Sequence, residues 1–421
     1  MTDMPRPADH PHRAATVDEL HARPFPSIEA PTHAWFVALR PERRIERDRA
    51  AERAQLDRLI QGACQTPPEE DATHWSGRLG PLNLKWESHT EFVTILIWGP
   101  EESDVTALAQ RVLADGPGLR MASARFRIRR IEDDAEALAI IRSDHAPDSL
   151  AASRVLDNSA VIAGDFRPAP DGDMRFSVLV RPDVGPGRVG RIVQRLLEIE
   201  TYRAMAMLGL VRAREMGPAL SDLGTRLAQE VATLGTSDGA AEVSLQALLD
   251  ISARLEQLAT RATFRMSATA AYERIVTIRI DALNETRFEG RQTFGEFMMR
   301  RFDPAMRTVE ATGHRLTRLT DRARRAGELL RTRVEVELSR QNRELLVSMD
   351  RRSDEALRLQ HTVEGLSVVA ISYYATSLAL YVAAPFGKEI GLSKTWMAAG
   401  ITPLVVLGTW AALRAVRRRL H

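Results

Sequence analysis

Residues 366–384 (LSVVAISYYATSLALYVAA) and 396–413 (WMAAGITPLVVLGTWAAL) contain no charged side chain, and nothing else in the 421-residue sequence limits its fold as much. At about 1.5 Å of rise per residue, helices of these lengths span roughly 27–29 Å, close to the hydrocarbon thickness of a bilayer. A buried helix of a soluble protein normally keeps charge on one side. Two uncharged segments in tandem therefore read as a membrane hairpin, the alternative being a helical hairpin buried in a protein core. Pro403 lies inside the second segment, where a membrane helix tolerates it better than a soluble one.

The arginines orient the hairpin. Arg351, Arg352 and Arg358 precede the first segment; Arg414, Arg417, Arg418 and Arg419 follow the second; the loop between them, PFGKEIGLSKT, carries two lysines and one glutamate. The positive-inside rule puts both flanks in the cytosol and the short loop outside. The opening MTDMPRPADHPHRAATVDEL has no apolar run and does not read as a signal peptide. The expectation is a bacterial inner-membrane protein with two transmembrane helices and both termini cytoplasmic.

Charge and cysteine content narrow the remaining classes. Lys and Arg total 58 against 56 Asp and Glu, a net of +2, so no chain-wide field favours nucleic acid. The single cysteine, Cys64, rules out an internal disulfide framework or a cysteine-based zinc cluster and fits a reducing compartment. Only Lys85, Lys388 and Lys394 are lysines.

From Ala305 to Ala384 there is no proline, and Leu316, Leu319, Ala323, Ala326, Leu330, Val334, Leu338, Leu345 and Met349 recur at helical steps with charges between them. The stripe runs into the first apolar segment with only Gly365 as a weak point. A helix of some 80 residues, about 120 Å long, needs partners: an earlier helix at about 240–285, or further copies of the chain. Glu337, Gln341 and Glu344 interrupt the stripe, favouring a local bundle over a long two-stranded coiled coil.

Residues 33–181 hold strand-like runs rich in β-branched and aromatic residues: HAWFVAL, LNLKWESH, EFVTILIW, ARFRIRRI, AVIAGDF and MRFSVLV. Helical stretches at 46–62, 105–114 and 134–142 separate several of them, predicting an α/β sandwich with a mixed or antiparallel sheet. SHTE reads as a hairpin turn near residue 90, and 66–72 as a loop.

The candidate functional residues are few. VGPGRVG, with Gly185, Gly187 and Gly190, sits between a strand and a helix, the place of a dinucleotide fingerprint. No strand and acidic residue follow it, and Pro186 removes a backbone donor, so it reads as a plain strand-to-helix turn. His10, His12, His21 and His33 show no metal-ligand spacing. His89 and Glu91 could form an acid–base pair, although a turn there favours a structural role. Cys64 has no evident partner for nucleophilic chemistry. In and beside the first span, Glu364, Ser367, Ser372, Tyr374, Thr376, Ser377 and Tyr381 are polar. Ser367, Tyr374 and Tyr381 share one face and Ser372 and Thr376 another, available to line a wet path or, more simply, to pack helix on helix.

ELHARPF (19–25), WESHTEF (86–92), GRIVQRLLEIETYRAMAMLGL (190–210), RTRVEVELSRQNRELLVSMDRR (331–352) and TVEGLSVVAISYY (362–374) together resemble the bacterial family catalogued as domain of unknown function 3422, over nearly the whole chain. The resemblance implies a membrane anchor and supplies no catalytic residues. The layout is also similar to the CorA-type magnesium channels, pentamers whose first span lines the pore. Their Gly-Met-Asn motif is absent here, and YVAAPFGKEIG places Lys388 where a cation channel avoids positive charge.

The resulting expectation is an α+β protein: an arm at 1–15, a cytosolic α/β sandwich domain at 16–187, a long-helix domain or stalk at 188–362, and a hairpin with a basic tail at 363–421. It would act as a membrane-anchored, homo-oligomeric scaffold without cofactor or catalysis, its partners the lipid bilayer and its own copies rather than nucleic acid. The alternative is a CorA-like channel, for which a divalent cation would be the partner. An enzyme using the Gly185–Gly190 turn for phosphate stands third.

Overall fold

The computed structural model describes residues 9–13, 16–17, 24–42, 46–62, 67–69, 72–233, 241–389 and 393–420, and omits the side chains of 241, 242, 387–389, 413 and 416–420. His21, Cys64, and the side chains of Lys388 and Arg417, Arg418 and Arg419 lie outside the described residues.

Strands that bury side chains on both faces begin the sheet. β1 (Thr32–Arg40) buries Trp35, Val37 and Leu39 on one face and Ala34, Phe36 and Ala38 on the other. The helix α1 (Arg49–Ile60) follows, its first turn capped by the Asp48 carboxylate accepting the Ala51 N–H at 2.9 Å. β2 (His74–Leu79), β3 (Leu82–Ser88) and β4 (Val93–Gly99) form an antiparallel meander, with the SHTE turn joining the last two. Then come α2 (Glu102–Ala114), β5 (Leu119–Arg130), α3 (Asp134–Asp144), β6 (Ala151–Val155), β7 (Ala160–Gly164) and β8 (Met174–Val180). The helical part comprises α4 (Pro186–Thr233), α5 (Ala241–Asp281), a two-residue strand β9 (Thr286–Arg287), α6 (Phe294–Arg301), α7 (Asp303–Glu389) and α8 (Lys394–Leu420). Among the described residues, nine strands form one sheet in the order β2-β3-β4-β1-β5-β8-β7-β6-β9, every pair antiparallel except β5 with β8. This is the mixed sheet expected from the sequence; β2, β6 and β9 are additional to the six strands read there.

The chain divides into two units: residues 1–236 with 246–327, and 237–245 with 328–421. The first is a three-layer sandwich. On one face of the sheet, Leu56 and Leu59 of α1 and Val105, Leu108 and Val112 of α2 pack over Trp35, Leu84, Trp86, Ile95 and Ile97, while Ala137 and Ile141 of α3 pack over Val161 and Leu179. On the other face, Val189, Ile192, Val193 and Leu196 of α4, Phe294 and Phe297 of α6 and Met306 of α7 cover Phe36, Phe126, Phe176 and Val178. Burial of side chains of this size contributes about 1.5–3 kcal/mol each.

The glycine-rich turn has a packing explanation. Pro186 opens α4, where its missing N–H costs nothing. Pro186 also gives its carbonyl to the Ile28 N–H at 3.2 Å. A Cβ on Gly190 would lie 1.6 Å from the Pro26 carbonyl oxygen, so residue 190 must be glycine for the 24–30 segment to lie against the helix.

In the second unit, residues 328–389 of α7 continue without a break through Pro385. Of the expected stripe, Leu316, Ala323 and Ala326 in the first unit are buried, as is Leu330, whereas Leu338, Leu345 and Met349 are 54%, 61% and 64% exposed. From 331 to 363 every residue except Val334 is exposed.

Candidate functional site

The end of α7 and helix α8 are each long and apolar enough to cross a membrane. Their apolar side chains are not drawn into a core: Leu366, Val369, Leu378, Val382, Leu404 and Leu407 are all more than 60% exposed. Within the single chain the two segments are not packed into a core.

Between the two helices runs a groove of about 430 Å³ lined by Val368, Val369, Ser372, Tyr373, Thr376, Ser377, Leu380, Thr402 and Val406. Ser372 is buried, and its hydroxyl lies 2.6 Å from that of Thr409, which also donates to the Val405 carbonyl at 2.8 Å. Ser372, Thr376 and Ser377 are thus brought together on the face turned to α8. Ser367 donates to the Val363 carbonyl of its own helix at 2.8 Å, Glu364 accepts from Gln360 at 3.3 Å, and Tyr374 and Tyr381 point outward, 71% and 82% exposed. Interhelix hydroxyl pairs in membranes are worth about 0.6 kcal/mol. A double-mutant cycle on Ser372→Ala and Thr409→Val, read by denaturation in detergent, is expected to give a coupling energy of about that size; zero coupling would mean that the bond does not hold the helices together.

His89 and Glu91 each have partners on neighbouring elements. The His89 ring stacks on Phe92 with centroids 4.5 Å apart, and its Nε2 is 3.1 Å from the Thr94 hydroxyl. The turn that carries it is clamped by Arg47, which donates to the Ser88 hydroxyl at 2.8 Å, to the His89 and Phe92 carbonyls, and to Glu52. Glu91 is 1% exposed. It accepts from the Arg265 guanidinium and from the Tyr272 hydroxyl at 2.8 Å, both on α5, and lies 3.6 Å from Arg40. Burial, then the Glu91 carboxylate, push the Tyr272 hydroxyl far above its ordinary range, so it stays protonated and donates. Burial, with Arg265 alongside, holds Arg40 below its usual value. The geometry is that of a buried ionic staple fastening the β3–β4 turn to α5.

A second polar chain lies beside it. Lys85 is 5% exposed and reaches Gln194 at 3.2 Å and Glu87 at 3.3 Å; Gln194 donates to Glu198 at 2.9 Å, and Glu198 accepts from Arg279. These residues, with Phe25, Tyr202 and Thr201, line a cavity of about 240 Å³. In the sequence this network shows only as Lys85, one of three lysines, set inside the strand run LNLKWES. Among the described residues no group of three or more His, Cys, Asp or Glu side chains is placed to hold a metal ion.

The family model described as a protein of unknown function (DUF3422) matches residues 8–420. No curated protein and no solved structure matches the chain, and the expected resemblance to CorA-type channels finds no support.

Proposed function

The chain belongs to the family of proteins of unknown function DUF3422, and we propose that it is a membrane-anchored scaffold that self-associates through α7 and holds its α/β sandwich at the inner face of a bacterial inner membrane. The observation that carries this reading is the uncovered stretch of α7. Val336, Leu338, Leu345, Leu346, Val347, Met349, Leu357 and Leu359 are all more than half exposed on one uninterrupted helix. The segment 331–363 is about 50 Å long at helical rise, and so long an isolated helix draws its stability from packing rather than propensity. A second copy offers the same apolar and charged pattern. The exposed apolar hairpin supports the membrane anchor, and the arginines flanking both spans support cytosolic placement of both flanks.

Light scattering on the detergent-solubilised full chain is expected to return a mass of more than one copy; a monomer would contradict the scaffold reading. A ring of five conducting ions in liposomes would replace it with the channel reading. Against the channel, the Ser372 hydroxyl is engaged with Thr409 of its own hairpin.

A further inference from the structure

Strand β5 carries an alternation that neither the membrane anchor nor the stalk uses. Ala124, Phe126 and Ile128 enter the core shared with α4. The residues between them, Arg125, Arg127 and Arg129, therefore point to the opposite face. Register aligns these with the neighbouring strands. Arg125 stands opposite Trp35 of β1 and Arg175 of β8; Arg127 stands opposite His33 and Ser177. Two adjacent rows, Trp35–Arg125–Arg175 and His33–Arg127–Ser177, thus cross the middle of the sheet.

On this face α2 and α3 cover the two sides and leave the centre open as a cleft of about 470 Å³. Its floor is Arg125, Arg127, Arg175 and Ser177; its walls include Glu102 and Thr106 of α2 and Asp144 and His145 at the end of α3. The volume falls in the range of small-molecule sites, and a floor of hydrogen-bonded strands is rigid.

Like charges directly opposite each other on a sheet are destabilising, yet Arg125 and Arg175 are so placed. Of the carboxylates lining the cleft, Glu102 stands 3.7 Å from His33, and the others are paired with arginines. Arg125 is paired with Asp173 at 3.0 Å and Asp171 at 3.3 Å, and Arg127 with Asp144 at 2.6 Å. Arg175 and Arg129 have no carboxylate partner among the described residues. The paired guanidinium groups are held in fixed orientation and keep further N–H donors. His145 is 6% exposed and bonded through Nε2 to the Ser177 hydroxyl at 2.8 Å; its Nδ1 has no partner among the described residues. Burial holds its imidazole below the ordinary range, so near neutral pH it is uncharged.

We infer that this cleft binds a small organic anion, its phosphate or carboxylate oxygens held by Arg127 and Arg175 over the His145–Ser177 pair. A ligand anion at that point would give Arg175 a counter-charge and add charge-assisted bonds to the guanidinium groups that line the cleft.

The test is titration of the detergent-solubilised full chain with inorganic phosphate and, separately, citrate, at ionic strength matched with chloride, followed by thermal shift and calorimetry. Saturable binding of one of them is expected, phosphate or citrate identifying the anionic group. Arg175→Gln, at an exposed position, should weaken it at least tenfold, while Arg58→Gln, on the outer side of α1, should leave it unchanged. No saturable binding of either anion, or binding that Arg175→Gln and Arg58→Gln affect equally, would overturn the site.

Discussion

Glu91→Ala is expected to remove about 3–5 kcal/mol of folding free energy, the cost of stranding buried charge by deleting one partner of an ion pair. Glu91 is 1% exposed, and the Arg40 and Arg265 side chains are 13% and 12% exposed. Without the carboxylate, the Arg265 guanidinium and the Tyr272 hydroxyl would lose their shared acceptor, and Arg40, which also donates to the Pro41 and Glu42 carbonyls at 3.1 and 3.2 Å, would lose its counter-charge. Arg40 already has its Nε unbonded there among the described residues. Domains are stable by about 5–15 kcal/mol in total, so the variant should unfold at much lower denaturant concentration. Glu91→Gln, which keeps an acceptor for Tyr272 but loses the charge, should fall between the two. Glu91→Leu combined with Arg40→Met and Arg265→Met should recover much of the loss, because an apolar replacement of a whole buried ionic group is often neutral. Urea denaturation of the full chain in detergent, followed by tryptophan fluorescence, reads all three. A shift below about 1 kcal/mol for Glu91→Ala would show that water reaches the site and the staple is weak.

Exchanging Leu338, Leu345 and Met349 together for glutamine should turn the assembly into monomers. In a single chain these side chains are exposed, and surface exchanges usually change stability by less than about 0.5 kcal/mol. If neighbouring copies cover them, each loses the roughly 1.5–3 kcal/mol of burying a large apolar side chain, in every copy. The two outcomes are therefore far apart: unchanged melting with a mass reduced to one copy, or no change in either. The same triple exchange with unchanged mass would remove the stalk as the association surface. Leu316, Ala323 and Ala326 are buried within one chain and would be the wrong residues to exchange, because their loss would unfold the helical layer as well.

Most of the sheet could be read from the sequence because β-branched and aromatic runs mark its strands, on both faces in β1 and β4 and on one face in β5. β2 (HWSGRL) has a glycine and three polar or charged residues, and β6 (AASRV) is short; neither composition distinguishes a strand from a loop. β9 is two residues that exist as a strand only because β6 lies beside them. The helical stripe of α7 was legible as a periodicity. Where it passes from buried to exposed, after Leu330, was not, since the same residue types occur on both sides of that point. The polar sites were the least legible. Glu91 meets Arg265 and Tyr272 across 174 and 181 residues of chain, and no local pattern encodes such a meeting. The arginines of ARFRIRRI mark a strand by their spacing, but that Arg175 lies opposite Arg125 follows from the parallel pairing of β5 with β8, which only the fold supplies.

An alkaline carbonate wash of membranes from cells making the full chain, followed by high-speed sedimentation, asks whether residues 366–384 and 396–413 lie in lipid. The chain should stay in the pellet after the wash and enter solution only with detergent, and a version ending at residue 360 should leave the pellet without it. Recovery of the full chain in the supernatant, folded and free of detergent, would mean that the two apolar helices are covered by protein instead, and that neither anchor nor orientation is as proposed.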